Sequence, residues 1–160
     1  TGTSLPLAIV ESCSMYHDRG MFSNLNVWWE KQNNKYEDFS ITKEDFFNFP
    51  LKKGFNKGDI LFIVGANPEK LEEGDVIIFN ANQRNPIIHR IINIQERDGK
   101  IYFSTIGDNN GEQISFEKEI SEDQLRGKAI FRLAPYLGWI KLIFYDWQKP
   151  VSERGLCIEN

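Results

Sequence analysis

A chain of 160 residues with 41% hydrophobic side chains is long enough for one domain with its own core. Its formal charge of −4, with Lys and Arg scattered rather than clustered, excludes the concentrated basic face of a nucleic-acid binder. No Cys-x-x-Cys or His-x-x-x-His spacing occurs, so no metal or cofactor is called for, and no apolar run reaches the roughly 20 residues of a membrane span.

Residues 5–10 form an apolar, strand-like run that leads into a first box, Ser12-Cys13-Ser14-Met15. The character changes over residues 18–56, which read as a partly helical insertion. A short helix is expected over 27–32, and a second one starts at Thr42, a cap with Asp45 three residues on. From Gly58 onward the rhythm is β. Strands are expected over 59–64, 76–79, 87–95, 101–106 and 127–133, with Asp98-Gly99 as a hairpin turn. Gly58-Asp59 and Gly74-Asp75 each precede a strand, as turn residues do. Residues 115–126 are polar and charged. Residues 137–147 carry Trp139, Tyr145 and Trp147 and read as a strand or helix packed on the core, or as a segment at a membrane surface. Many short strands joined by tight turns predict an all-β, folded-sheet or barrel-like domain over 1–148, with a tail at 149–160.

Two further boxes follow the first in order: Pro86-Ile87-Ile88-His89-Arg90 and Gly107-Asp108-Asn109-Asn110. Together the three offer a hydroxyl, an imidazole and a carboxylate, the groups that nucleophilic serine chemistry needs. Each is weak singly: Ser-x-Ser is common in loops, a histidine in an apolar strand is more often a satisfied core residue, and Gly-Asp-Asn-Asn is a good turn. Only two histidines exist. His17, in the polar stretch Tyr16-His17-Asp18-Arg19, reads as a solvated, peripheral residue, which leaves His89 as the base. Two cysteines, Cys13 and Cys157, leave a bridge open without requiring one.

Val10-Glu11-Ser12-Cys13-Ser14-Met15, Lys57-Gly58-Asp59, Gly74-Asp75-Val76-Ile77-Ile78-Phe79, Ile87-Ile88-His89-Arg90, Gly107-Asp108-Asn109-Asn110, Gly127-Lys128-Ala129 and Pro135-Tyr136-Leu137-Gly138-Trp139 together resemble the type I signal peptidases, in the archaeal and endoplasmic-reticulum branch with a Ser–His pair. The resemblance covers most of the chain outside 18–56 and the tail. It implies a membrane-associated serine endopeptidase that cleaves signal peptides from exported preproteins after small residues. Ser14 would be the nucleophile, and His89, where the bacterial branch has lysine, the general base. The Ser12 hydroxyl and the Ser14 N–H would stabilise the oxyanion. Asp108 would be the acid, with Glu112 or Asp123 as substitutes.

The chain departs from the family in two places: Cys13 stands where Gly is usual, and the second Asp that members often carry beyond Gly-Asp-Asn-Asn is missing. A Cys13 nucleophile ranks below Ser14, because neighbouring side chains of an extended chain point opposite ways. By the same resemblance the domain would lie on the extracytoplasmic or lumenal side of a membrane, with an anchor preceding Thr1. Its partners would be signal peptides and the lipid surface. The substrate would add to an exposed strand edge, either the strand before Ser14 or that at 75–79. The aromatic insertion and the 139–147 run would rest on the membrane. Partner subunits are left open. A self-cleaving repressor-type protease and an inactive peptide-binding β-domain are the alternatives.

Overall fold

The computed structural model describes residues 6–17, 24–83, 85–146 and 155–157, with side chains to residue 142 and again at 155–157. The expectations for 18–23, for Tyr145 and Trp147, and for most of the tail lie outside them. Strands β1 (Leu7–Ile9), β2 (Ile60–Val64), β3 (Val76–Phe79), β4 (Ile87–Arg97), β5 (Lys100–Ile106), β6 (Ile120–Ser121) and β7 (Leu125–Ala134) form one curled sheet in the order β1-β2-β7-β3-β4-β5-β6. All pairings are antiparallel. Helices α1 (Leu25–Gln32), α2 (Asn34–Glu37) and α3 (Lys43–Asn48) fall in the insertion, and α4 (Trp139–Asp146) follows β7. The expected all-β class holds.

β3 explains why the sheet has a core on each face. Its four residues are all apolar and all buried. Val76 and Ile78 join Val10, Met15, Phe55 and Leu61, whereas Ile77 and Phe79 join Ile91, Phe103 and Ile120. A strand buried on both sides reads as a continuous apolar run, not an alternating one. β3 is also paired on both edges, to β4 and β7, so the expectation that residues 75–79 offer a free edge fails. Among the described residues β1 pairs only with β2, and no described strand pairs with its other edge.

Local signals act where the sequence puts them. The Thr42 hydroxyl accepts from the Asp45 N–H while the Asp45 carboxylate accepts from the Thr42 N–H at 2.9 Å, a capping box at the start of α3. Asp98 and Gly99 both take positive φ (53° and 69°), as the tight hairpin between β4 and β5 requires. Gly74 has φ +92°, and a side chain there would strike the ring of Phe49 at 2.2 Å.

The insertion corrects one expectation. Trp28 and Trp29 are 2% and 4% exposed, packed with Tyr36, Ile41 and Phe46 against Ile92 and Ile106 of the sheet. These aromatics are a third core cluster and cannot rest on a membrane. In the insertion Val27 is exposed, but most of the exposed apolar residues lie elsewhere, among them Leu7, Phe131, Leu133, Leu137 and Ile140.

Candidate active site

The first box forms a tight turn beyond β1. Val10 N–H donates to the Asp59 carbonyl (2.9 Å), Tyr16 N–H to that of Cys13 (3.1 Å), and Phe55 N–H to that of Met15 (2.9 Å). With Met15 buried as an anchor, Ser12 is exposed and Ser14 half-buried. The two hydroxyls lie 3.1 Å apart. Cys13 points away into a disulfide with Cys157, so the bridge that the sequence left open is formed and the sulfur is no free nucleophile.

Ser12, Ser14 and His89 line one cleft of about 600 Å³. Its floor and walls are largely apolar, with Ile9, Phe55, Ile78 and Ile88 among them. The Ser14 hydroxyl is hydrogen-bonded to Ser12 and makes no hydrogen bond to His89; catalytic hydrogen bonds are often long until substrate binds.

His89 and Arg90 are neighbours on β4, so they project to opposite faces. That parity decides which acid each meets. On one face, His89 Nδ1 is bonded to the Glu117 carboxylate, which is fully buried. The other Glu117 oxygen accepts the Ile114 N–H at 2.8 Å, and Gln113 ties the Glu117 carbonyl to that of Thr105. A carboxylate held this way fixes the Nδ1–H tautomer and leaves Nε2, on the cleft side, to take a proton. Gly107 keeps that nitrogen clear: a Cβ there would come within 2.9 Å of His89 Nε2.

On the other face, Arg90 meets Asp108. The expectation that Asp108 touches His89 is corrected here. The Asp108 carboxylate accepts from Arg90 Nη2 (2.7 Å), His17 Nε2 (2.7 Å) and Tyr36 OH (2.8 Å), and is fully buried. Burial alone would push its pKa up, but Arg90 and then His17 outweigh that and hold it well below the usual carboxylate range. The Arg90 guanidinium also caps the carbonyls of Pro50, Leu51 and Gly74. The substitutes do not reach the imidazole either: Glu112 is exposed, and Asp123 accepts from the Ser121 hydroxyl at 2.6 Å.

His17 is likewise corrected. It is 2% exposed, stacked on Trp28 with ring centroids 3.7 Å apart, and burial lowers its pKa despite Asp108. Glu117, the carboxylate that meets His89, is the residue that sequence reasoning missed. It sits in a polar stretch without periodicity, and its one available signal was its place downstream of Gly107-Asp108-Asn109-Asn110, where an acid was sought.

No family model matches the chain. It is similar to the signal peptidase complex catalytic subunit SEC11C of Homo sapiens, 30% identical over 105 residues that cover 62% of this chain and 55% of the relative. It is 26% identical over 121 residues to the corresponding sec11 subunit of Schizosaccharomyces pombe, covering 61% and 64% of the two chains. The SEC11 subunit of Plasmodium falciparum is 36% identical over 62 residues, covering 38% and 33%. The chain thus spans about half the length of the mammalian relatives it matches.

Proposed function

From a chain homologous to the SEC11-type catalytic subunits of the type I signal peptidase family, we propose a serine endopeptidase that removes signal peptides from preproteins. The observation that carries this reading is the meeting of Ser14 and His89 in one open cleft, with Glu117 behind the imidazole. Ser14 Oγ attacks the scissile carbonyl as His89 Nε2 takes its proton. The resulting oxyanion accepts from the Ser14 N–H and the Ser12 hydroxyl. His89 then returns the proton to the leaving amine, and a water repeats the sequence on the acyl-enzyme. One oxyanion donor is worth about 3 to 4 kcal/mol to the transition state. Glu117 orients His89 and stabilises the imidazolium.

The substrate lies extended against the edge of β1 that no described strand pairs, where Ala8 and Ile9 line the cleft together with Val10 just beyond the strand. Apolar walls close around it, which favours small residues before the cut. The relatives are named as subunits of a complex, and assembly with other subunits is part of the proposal.

Membrane contact falls to the exposed apolar face of β1, β7 and α4. Phe62 stacks on Phe131 at 5.1 Å, Leu7 pairs with Phe62, and Leu137 and Ile140 extend the patch. No helix among the described residues is long and apolar enough to cross a membrane, and the patch would meet the lipid surface. Flotation with anionic vesicles checks it: Leu137→Glu with Ile140→Glu should abolish binding, and equal flotation of the variant would refute the contact.

The activity is tested by incubating the protein in detergent with a preprotein, beside Ser14→Ala and His89→Ala. Cleavage in the wild type alone is expected. Cleavage that survives either substitution overturns the pair, and none by the wild type favours an inactive peptide-binding domain.

A further inference from the structure

The turn at 107–110 touches both reactive residues. Asn109 N–H donates to the Ser14 carbonyl at 2.7 Å, Asn109 Nδ2 to the Cys13 carbonyl at 3.1 Å, and Asp108 N–H points at the Met15 sulfur, 3.4 Å away. At its start, Gly107 backs against His89 Nε2. A shift of this turn therefore moves nucleophile and base together. Within itself the turn has the Asn110 N–H bond to the Gly107 carbonyl, at 2.9 Å.

The Asp108 side chain is held by Arg90, His17 and Tyr36, but the backbone carbonyls of the turn are gathered by another side chain of the insertion. Lys35, in α2, donates to the Asp108 carbonyl (2.5 Å), the Asn110 carbonyl (2.7 Å) and Gln32 Oε1 (2.9 Å), which uses all three ammonium protons. Its Nζ lies 5.9 Å from the Trp28 ring centre and 5.4 Å from that of Tyr36. Lys35 does not line the cleft, and the apolar cluster that holds the insertion to the sheet is built from other residues.

We propose that Lys35 is a positioning residue of the hydrolytic site, clamping the 107–110 turn so that Ser14 and His89 hold their mutual geometry. This rests on the peptidase reading above. The insertion then acts as a scaffold under the site. Two carbonyls on one ammonium cannot be replaced by an apolar side chain of the same length, and water admitted in its place would leave the turn free to drift. A misplacement of about 1 Å among reacting groups costs on the order of 10²-fold in rate.

The charge state of the clamp can be read separately. Burial lowers the Lys35 pKa to about 8, opposed by Asp108, the carboxylate facing it. The other titratable groups packed around that carboxylate lie away from this range: Asp108 is held low by Arg90 and His17, His17 is lowered by burial, and Tyr36 is pushed well above its ordinary value by burial. A clamp that needs its ammonium therefore fails as pH rises through about 8, and a guanidinium at the same place does not.

The experiment uses the full chain, with Lys35→Met and Lys35→Arg beside the wild type. Preprotein cleavage across pH 6.5–9.5, thermal unfolding, and amide hydrogen exchange at Asn109 are measured on each. For Lys35→Met we expect kcat to fall about ten- to a hundredfold with KM unchanged within about threefold, the folded fraction intact, and Asn109 exchanging at least about tenfold faster. Lys35→Arg should restore most of kcat and move the alkaline limb upward. Wild-type kcat in Lys35→Met, or a loss no larger than its loss of folded protein, overturns the clamp. So does an alkaline limb that stays in place in Lys35→Arg. If the wild type cleaves nothing, the peptidase reading has failed, and exchange at Asn109 still decides whether Lys35 holds the turn: an unchanged rate rejects it.

Discussion

Two histidine–carboxylate pairs occur among the described residues, and they differ in what surrounds the ring nitrogen that the carboxylate does not hold. His89 gives Nδ1 to Glu117 and keeps Nε2 at the cleft beside Gly107. His17 gives Nε2 to Asp108, and its Nδ1 is buried with no hydrogen-bond partner among the described residues. The Glu117 carboxylate serves one imidazole and one backbone N–H, whereas Asp108 also carries Arg90 and Tyr36. In the proposed reaction His89 can serve as the base and His17 cannot, because an imidazole with an acid behind it reaches substrate only if its second nitrogen opens onto a cleft. The sealed pair instead neutralises a buried guanidinium and joins the insertion to the sheet.

The comparison can be broken first at the imidazoles. His89→Ala should lower kcat by at least about 10³-fold with little change in unfolding temperature. His17→Ala should do the reverse, with a clear loss of stability and a modest loss of rate. Equal losses of rate in the two variants would erase the distinction drawn here.

The carboxylates come next. Asp108→Asn leaves Arg90 buried without its counter-charge and should cost about 3 to 5 kcal/mol in denaturant unfolding. Glu117→Gln should leave stability near that of the wild type and cut kcat by about 10²-fold, because the amide no longer supports the imidazolium. A Glu117→Gln enzyme at full rate would mean that Ser14 and His89 act as a pair without the acid.

The smallest effect is in the pH dependence of stability. The pKa of His17 in the fold lies below that of a free imidazole, chiefly because of burial. Between the two values the unfolded chain takes up a proton that the folded chain does not, so stability falls as pH drops below about 6.5. Asp108 contributes in the same direction, a loss of stability as pH falls, but at lower pH. Its depressed folded value means that its stabilisation is present above about 3.9 and lost only as pH falls through that lower value. Urea titrations between pH 7.5 and 5.0 should show the first slope in the wild type and a flatter one in His17→Gln. Identical slopes would refute the assignment to His17.

A link outside both pairs has its own test. The disulfide closes a loop of sequence separation 144 and fastens Cys157 to the turn that carries Ser14. In the chain-entropy account such a loop stabilises by up to about 5 kcal/mol. Cys157→Ala should lower the unfolding temperature accordingly, and an unchanged midpoint would show that the bridge does not constrain the unfolded chain.

How far the sequence reaches follows from the range of each signal. Strand rhythm, the Thr42 capping box, the Asp98-Gly99 hairpin and the turn glycines are written within a few residues, where propensity and φ preference act directly, and they were legible there. The boxes around Ser12, Ser14 and His89 were legible as a pattern, and all three residues line the cleft. Which acid meets which histidine was not. Glu117 lies 28 residues from His89, and Asp108 lies 91 from His17. Those partnerships depend on strand parity at His89 and Arg90 and on where the insertion packs. The burial of Trp28, the Cys13–Cys157 bond and the loss of a free edge at β3 are of the same kind. They are decided when segments distant in the chain compete for the same buried volume and the same few polar partners, which no local stretch of sequence encodes by itself.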